Sequence, residues 1–260
     1  MLEIEALPAF RDNYIWSIKR PDADQVYVVD PGDGQVVRQY LTNRGLKLAG
    51  ILVTHHHPDH TAGIPTLCDE HRVSVYGPAN ETIPRRTHAL KDADTIHLDA
   101  LNLTLAVIAI PGHTLGHIAY YAAAADALFA GDTLFSVGCG RLFEGTAENL
   151  LASLKCLRSL PEQTNLYCGH EYTLANIQFA LHVDPDNTWL HRRREDAEQA
   201  RTCGIPTLPS SLGTEKLTNP FLRWDQPSII QAMERRTGQA LKDDVSVLAA
   251  LRHWKNNFKL

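Results

Sequence analysis

The sequence predicts an α/β chain with a strand-rich first two-thirds that carries the chemistry and a helical last third. Three observations predict it. Short apolar and β-branched runs in the first part stop at Gly or Pro, the mark of buried strands punctuated by turns. These runs end where a His or an Asp appears, as expected when loops at strand ends hold reactive groups on a rigid scaffold. Beyond about Tyr172 the strand signals nearly vanish. The expected division is 1–172 for a catalytic domain and 173–260 for a helical one.

The elements follow in order. Gln25–Asp30 reads as a strand stopped by the Pro31-Gly32 turn, and Val36–Asn43 has helical character. Ala49–Val53 is an apolar run that leads straight into a histidine cluster. Thr61–His71 is expected as a helix, followed by a strand at Val73–Tyr76. Strands are expected at Thr95–Asp99, Leu101–Ile110, Ile118–Tyr121 and Ala127–Ala130, the last stopping at Gly131-Asp132. Helices then suit Thr173–His182, Asn187–Thr202 and Asp243–Phe258, with Gly204–Asn219 a Pro/Gly/Ser/Thr-rich connection. There is no internal repeat.

Composition narrows the function classes. A 44% hydrophobic and 21% charged chain of 260 residues has the balance of a soluble globular protein. A net charge of −5 gives no support for a partner that is nucleic acid or a membrane surface. Cys68, Cys139, Cys156, Cys168 and Cys203 are odd in number and form no Cys-x-x-Cys pair, which speaks against a disulfide framework and for buried thiols in a reducing compartment. The N-terminus lacks a secretory pattern, and no apolar run approaches the ~20 residues that span a bilayer. A cytoplasmic location is expected.

Histidine is the outlier. Four of thirteen histidines fall between His55 and His60, in His55-x-His57-x-Asp59-His60. Residues two apart on an extended segment point the same way, so His55 and His57 can share one metal, while Asp59 and His60 can reach a second. Imidazole with carboxylate suits zinc, iron or manganese. The plain alternative is a surface histidine tract. Against it, further candidate ligands recur beside glycine at strand ends: His113 in Pro111-Gly112-His113-Thr114-x-Gly116-His117, Asp132 after Gly131, and His170 after Gly169. Five histidines and two aspartates suffice for two divalent ions with a shared carboxylate. His56 is expected to point away, and His117 to be structural. Arg192-Arg193-Arg194, followed by Glu195-Asp196, reads as a solvated helix face.

These motifs, in this order, resemble the metallo-β-lactamase superfamily and, within it, the glyoxalase II family of hydroxyacylglutathione hydrolases. Supporting segments are Arg11-Asp12-Asn13-Tyr14, Gly131-Asp132-Thr133-Leu134-Phe135, Gly138-Cys139-Gly140-Arg141-Leu142-Phe143-Glu144-Gly145-Thr146, Gly169-His170-Glu171-Tyr172-Thr173 and Arg252-x-x-Lys255. The resemblance covers the whole chain. It implies an αββα sandwich with metals at one edge, plus the helical C-terminal domain. It implies that His55, His57 and His113 hold one metal, that Asp59, His60 and His170 hold the other, and that Asp132 bridges them. Zinc is the expected ion, with iron or manganese as alternatives.

The implied reaction is hydrolysis of S-(2-hydroxyacyl)glutathione, S-D-lactoylglutathione above all, to glutathione and a 2-hydroxy acid. Asp59 is expected to orient the nucleophile as well as bind metal. Glutathione carries two carboxylates, so cations are needed, and the resemblance points to Arg141, Tyr172, Arg252 and Lys255. On the last helix Val247, Leu251, Trp254 and Phe258 form an apolar stripe flanked by Arg252 and Lys255. The family often has tyrosine where this chain has Phe143; the backbone N–H there remains as a donor. A monomer is expected. The alternative is an iron-dependent persulfide dioxygenase on the same fold, which would use fewer ligands.

Overall fold

The protein, seen in a computed structural model, is described from residue 2 to residue 259. It folds as two compact units. The first comprises the chain up to Ala109, Leu115–Gly131 and Tyr167–Glu171; the second comprises Ile110–Thr114, Asp132–Leu166 and the chain from Tyr172 onward. This partition follows packing, whereas the 1–172 and 173–260 division follows element type.

In the first unit, β1 (Glu3–Ala9), β2 (Asn13–Lys19), β3 (Gln25–Val29), β4 (Lys47–Leu52), β5 (Ser74–Pro78) and β6 (His88–Leu90) form one sheet in that order. The first three strands are antiparallel and β3 through β6 are parallel. Parallel strands need both faces covered, and their sequences comply: Val26, Val28 and Ile51 are fully buried. Helices α1 (Gly34–Arg44), α2 (Pro58–Thr61) and α3 (Ile64–His71) lie between these strands in the chain. Val37 and Leu41 of α1 and Ile64 and Leu67 of α3 join Val26, Val28, Ile51 and Val75 in one apolar cluster. Asp33 caps α1 by accepting from the N–H groups of Gln35 and Val36, and Gly45 ends it in the left-handed region.

The second sheet of this unit runs β7 (Thr95–Leu98), β8 (Leu103–Ala109), β9 (Ile118–Ala122) and β10 (Ala127–Gly131), each pair antiparallel. Tyr120 ties the sheets together: its hydroxyl donates to the Val53 carbonyl at 2.9 Å. Trp16 does the same, donating from Nε1 to the Cys168 carbonyl at 2.9 Å and meeting Tyr167 edge-on at 4.9 Å.

The second unit carries the hairpin β11 (Leu134–Phe135) and β12 (Gly138–Cys139), then α4 (Ala147–Arg158). β13 (Asn165–Cys168) pairs through Asn165 and Leu166 with β14 (Ser210–Ser211). The rest is helical: α5 (Thr173–Val183), α6 (Thr188–Thr202), α7 (Leu212–Thr218), α8 (Pro227–Thr237) and α9 (Asp244–Asn257). Val137, Ile177, Ala180, Leu190 and Ala197 form one of its buried clusters. Phe179 stacks on Phe221 and meets Trp254 and Phe258 edge-on.

Several expectations change. The helix expected over Thr61–His71 is two pieces, Pro58–Thr61 and Ile64–His71, separated at Gly63. A Cβ at Gly63 would lie 2.4 Å from the Gly34 nitrogen and 2.5 Å from the Pro31 carbonyl oxygen, so two backbone segments touch there. The connection expected at Gly204–Asn219 contains α7, started by Ser211, whose hydroxyl accepts from the Thr214 N–H. Strands β1 and β2 and helices α4 and α8 lacked a legible period. The cysteines divide: Cys139 and Cys168 are buried, whereas Cys156 and Cys203 are exposed. No helix among the described residues is long and apolar enough to cross a membrane.

We expect Gly63→Ala to lower stability by about 1–3 kcal/mol, the usual cost of forcing a methyl into a packed contact. Urea denaturation of both forms measures it, and an unchanged midpoint would mean that the segments part without cost.

Candidate metal centre

In the first unit, β4 delivers the chain into Thr54 and the histidine run, and α2 turns Asp59 and His60 toward His170, which follows β13. Ligand atoms of Asp59, His60 and His170 lie within 4.8 Å of one another, as do those of Asp30, His55 and His60. Both imidazole Nε2 atoms, of His60 and His170, stand 3.5 Å from Asp59 Oδ2.

The protonation pattern follows from the partners. His170 Nδ1 lies 2.8 Å from Asp12 Oδ1, and His60 Nδ1 lies 3.1 Å from Asp30 Oδ2. A carboxylate only accepts, so each Nδ1 carries the proton and each Nε2 turns a lone pair toward Asp59. Thr54 works the same way one step removed. Its hydroxyl donates to Asp30 Oδ2 at 2.7 Å, so at 3.0 Å from His55 Nδ1 it accepts from that ring. His55 Nε2 is left facing His57 Nδ1 at 3.1 Å. Lone pairs and a carboxylate converging in this way suit a cation, and holding a ligating imidazole by its other nitrogen is the usual arrangement around metals.

The N-terminal loop supports the same cluster. Asn13 Nδ2 donates to Asp59 Oδ2 at 3.0 Å, and the Tyr14 hydroxyl donates to Glu171 Oε2 at 2.9 Å. Asp30, whose φ of 53° ends β3 abruptly, also accepts from the Thr54 N–H at 2.8 Å. Gly32 lets this turn reach Asp59, since a Cβ there would lie 1.8 Å from the Asp59 carbonyl oxygen. Sequence reasoning missed Asp12 as a partner of His170 and Asp30 altogether. Asp12 lay within a quoted segment, while Asp30 had only its place before Pro31-Gly32 as a signal.

His56 and His117, expected as bystanders, have neighbours of their own. His56 Nδ1 faces Glu81 Oε2 at 3.1 Å. His117 is fully buried, stacks on His55 at 4.6 Å, and keeps Nδ1 3.1 Å from the Ile118 carbonyl.

In the second unit, His113 Nε2 lies 3.6 Å from Asp132 Oδ2. His113 Nδ1 donates to the Arg141 carbonyl at 2.9 Å, which again leaves Nε2 as the lone-pair nitrogen. Gly140 makes this close approach possible: a Cβ there would lie 1.9 Å from the Asp132 carbonyl oxygen. Phe143 is exposed at 63% and meets the His113 ring edge-on at 5.3 Å. Its backbone N–H, expected to remain as a donor, is taken by the His113 carbonyl at 3.3 Å.

Arg252, expected as a cation for glutathione beside the apolar stripe, is held inside the fold. It is 5% exposed, and its Nη1 donates to the Cys139 carbonyl at 2.8 Å while the guanidinium lies over the Phe221 ring. Lys255 donates to the Ala175 carbonyl at 3.1 Å and sits over Phe179. Burial, aided by the nearby cations Arg252 and Arg141, pushes its pKa down to about 8. Tyr172 meets Phe135 edge-on at 5.2 Å. Burial raises the Cys139 thiol pKa even with Arg252 beside it, which keeps it protonated and a poor nucleophile.

Comparison with known proteins completes the description. Residues 11–170 match the profile of the metallo-beta-lactamase superfamily. The structure resembles that of ETHE1 from Myxococcus xanthus, with a TM-score of 0.67 at 23% identity, covering 100% of this chain and 92% of that one. The chain is thus a metallo-β-lactamase-fold protein, with mixed α/β sheets, helices and a helical C-terminal region, as the resemblance implied. Residues 171–258 match the profile described as the hydroxyacylglutathione hydrolase C-terminus. A hydroxyacylglutathione hydrolase of Nitrosomonas eutropha is 51% identical over 100% of both chains. One of Alkalilimnicola ehrlichii is 52% identical over 98% of this chain and 99% of its own. The chain belongs to the hydroxyacylglutathione hydrolase family.

Asp12→Ala removes the acceptor that orients His170. We expect cation affinity of the Asp59–His60–His170 group to fall about 10–100-fold, read by chelator competition; unchanged affinity would show that packing alone holds the ring.

Proposed function

We propose that the chain hydrolyses the thioester of S-(2-hydroxyacyl)glutathione, with S-D-lactoylglutathione as substrate and glutathione and D-lactate as products. This is the second step of methylglyoxal detoxification. The observation that carries the reading is the full-length likeness to the hydroxyacylglutathione hydrolases, including the C-terminal segment that bears Arg252 and Lys255.

In this reading His55, His57 and His113 hold one divalent cation, Asp59, His60 and His170 hold a second, and Asp132 is shared. The supporting chemistry is the row of Nε2 lone pairs described above. Two zinc ions are proposed, with iron or manganese suiting the same donors. When bound, such cations acidify water toward a pKa of roughly 7 and polarise a carbonyl. Asp59, steadied by Asn13, orients the attacking water as well as binding metal. The departing thiol, with an ordinary pKa of about 8.5, leaves as thiolate without a dedicated acid.

The proposed glutathione contacts are Arg141, Phe143, Tyr172, Arg252 and Lys255. Lys255 supplies charge to a glutathione carboxylate, and the buried guanidinium of Arg252 adds to the field and braces the Cys139 loop. Residues 1–172 form the catalytic part and 173–260 the binding part. The chain acts as a cytoplasmic monomer.

The decisive assay is loss of the thioester of S-D-lactoylglutathione with the purified protein, alongside metal analysis. Two metals bound and no turnover would refute the substrate assignment. A second expectation concerns pH. Because Lys255 is half-titrated near pH 8, its charge is present below that value and lost above it. KM is therefore flat below about 8 and rises above it, while Lys255→Ala raises KM about 10–160-fold, the range of one charge-assisted contact, and abolishes the inflection. An inflection that persists in Lys255→Ala belongs to another group.

A further inference from the structure

Glu215 is a carboxylate on α7 with no exposed surface, and the proposed reaction does not use it. Four donors converge on it. Oε1 accepts from the Ser136 hydroxyl at 2.9 Å and from the Ser210 hydroxyl at 2.6 Å. Oε2 accepts from the Val137 N–H at 2.7 Å and from Asn219 Nδ2 at 3.1 Å. Ser136 and Val137 are the turn of the β11–β12 hairpin. Asn219 also grips that hairpin, donating to the carbonyls of Phe135 at 3.1 Å and Gly138 at 3.0 Å.

The turn needs holding. Val137 has a φ of 56°, a region costly for a β-branched residue, and its side chain is buried among Ile177, Ala180, Leu190 and Ala197. Arg193 Nη2 donates to the Ser136 hydroxyl at 3.1 Å and to the Thr207 carbonyl at 2.8 Å. Hence a buried anion and a half-buried cation are joined through one serine, and Arg193 is no part of a solvated face. At the end of the hairpin the Cys139 carbonyl takes Arg252, and just past it the Gly140 N–H donates to the Thr133 carbonyl and the Arg141 carbonyl takes His113.

We propose that Glu215 is a positioning residue that fixes the Ser136–Val137 turn and so sets the reach from Asp132 and His113 to Arg141 and Arg252. This rests on the glutathione reading of those residues. Glu215 touches no reacting atom; it acts through the hairpin.

Three variants test it. Glu215→Gln is isosteric: its carbonyl can take Val137 and Asn219, and its amide can donate to the two hydroxyls, which rotate to accept. Glu215→Leu leaves all four donors without an acceptor. Glu215→Asp is milder, too short to reach both Ser136 and Val137. For each, KM, kcat and the dissociation constant of free glutathione are measured, with amide exchange across residues 134–141. Leu157→Ala, a truncation of a buried α4 leucine, controls for general destabilisation. We expect Gln to match the wild type. We expect Leu, or Asp if Leu does not fold, to raise KM and the glutathione dissociation constant about tenfold or more, as misplacement of binding groups does. Fast exchange at Val137 should accompany this, and metal content should hold. Wild-type KM and glutathione affinity in folded Asp or Leu variants, or a rise matched by Leu157→Ala, overturns the proposal. If the wild type does not hydrolyse the thioester, the function falls, while exchange at Val137 through Arg141 still decides the role of Glu215.

Discussion

Each well-placed imidazole is constrained by where its proton sits. His60 and His170 give their Nδ1–H to Asp30 and Asp12, His55 gives its own to a threonine whose proton is committed elsewhere, and His113 gives its own to a main-chain carbonyl. An acceptor that cannot donate leaves one tautomer, and that tautomer presents Nε2 as a lone pair. Without those partners the rings could turn or tautomerise, and cation affinity would suffer. Much of the surrounding architecture serves these contacts. β3 ends on Asp30 in a left-handed conformation, β2 begins beside Asp12 and Asn13, and Gly32 and Gly140 admit backbone where a methyl would collide.

The cations of the C-terminal helix show a different balance. Arg252 is buried, with Nη1 donating to the Cys139 carbonyl and Nε to the Asn256 side chain, a fork of donors suited to such a setting. Lys255 is not so tolerant. Burial and two neighbouring arginines disfavour its ammonium form, so a bound carboxylate would restore the charge that folding weakens. Holding such a cation ready in an apolar setting over Phe179 strengthens its attraction to an anion, since less water competes there. Packing on the apolar stripe positions this helix, and the Asp243–Ser246 capping box starts it.

The legible part of the fold was the part with a clear period. β3, β4, β8, β9, β10, α5, α6 and α9 matched expectation because apolar runs and helical spacing coincide there with burial. β1 and β2 did not announce themselves: β2 is buried along its whole length and mixes Asn, Tyr, Ser and Lys with its apolar residues, so no alternation appears. The break at Gly63 depends on Gly34 and Pro31, some 30 residues earlier in the chain, which no local pattern can reveal.

Taken alone, the sequence determined the candidate donor types, their order and the family, because imidazole and carboxylate side chains are common metal donors and their spacing on loops after strands is local information. It also placed Arg252 and Lys255 beside an apolar stripe on one helix. Tertiary structure decided which groups orient those donors, that Arg252 is buried and that the Phe143 N–H is already engaged. It also decided that Glu215 and Arg193 meet at one serine. Hydrogen-bond partners 46 to 158 residues apart, such as Asn13 with Asp59 and Asp12 with His170, exist only once the chain has folded.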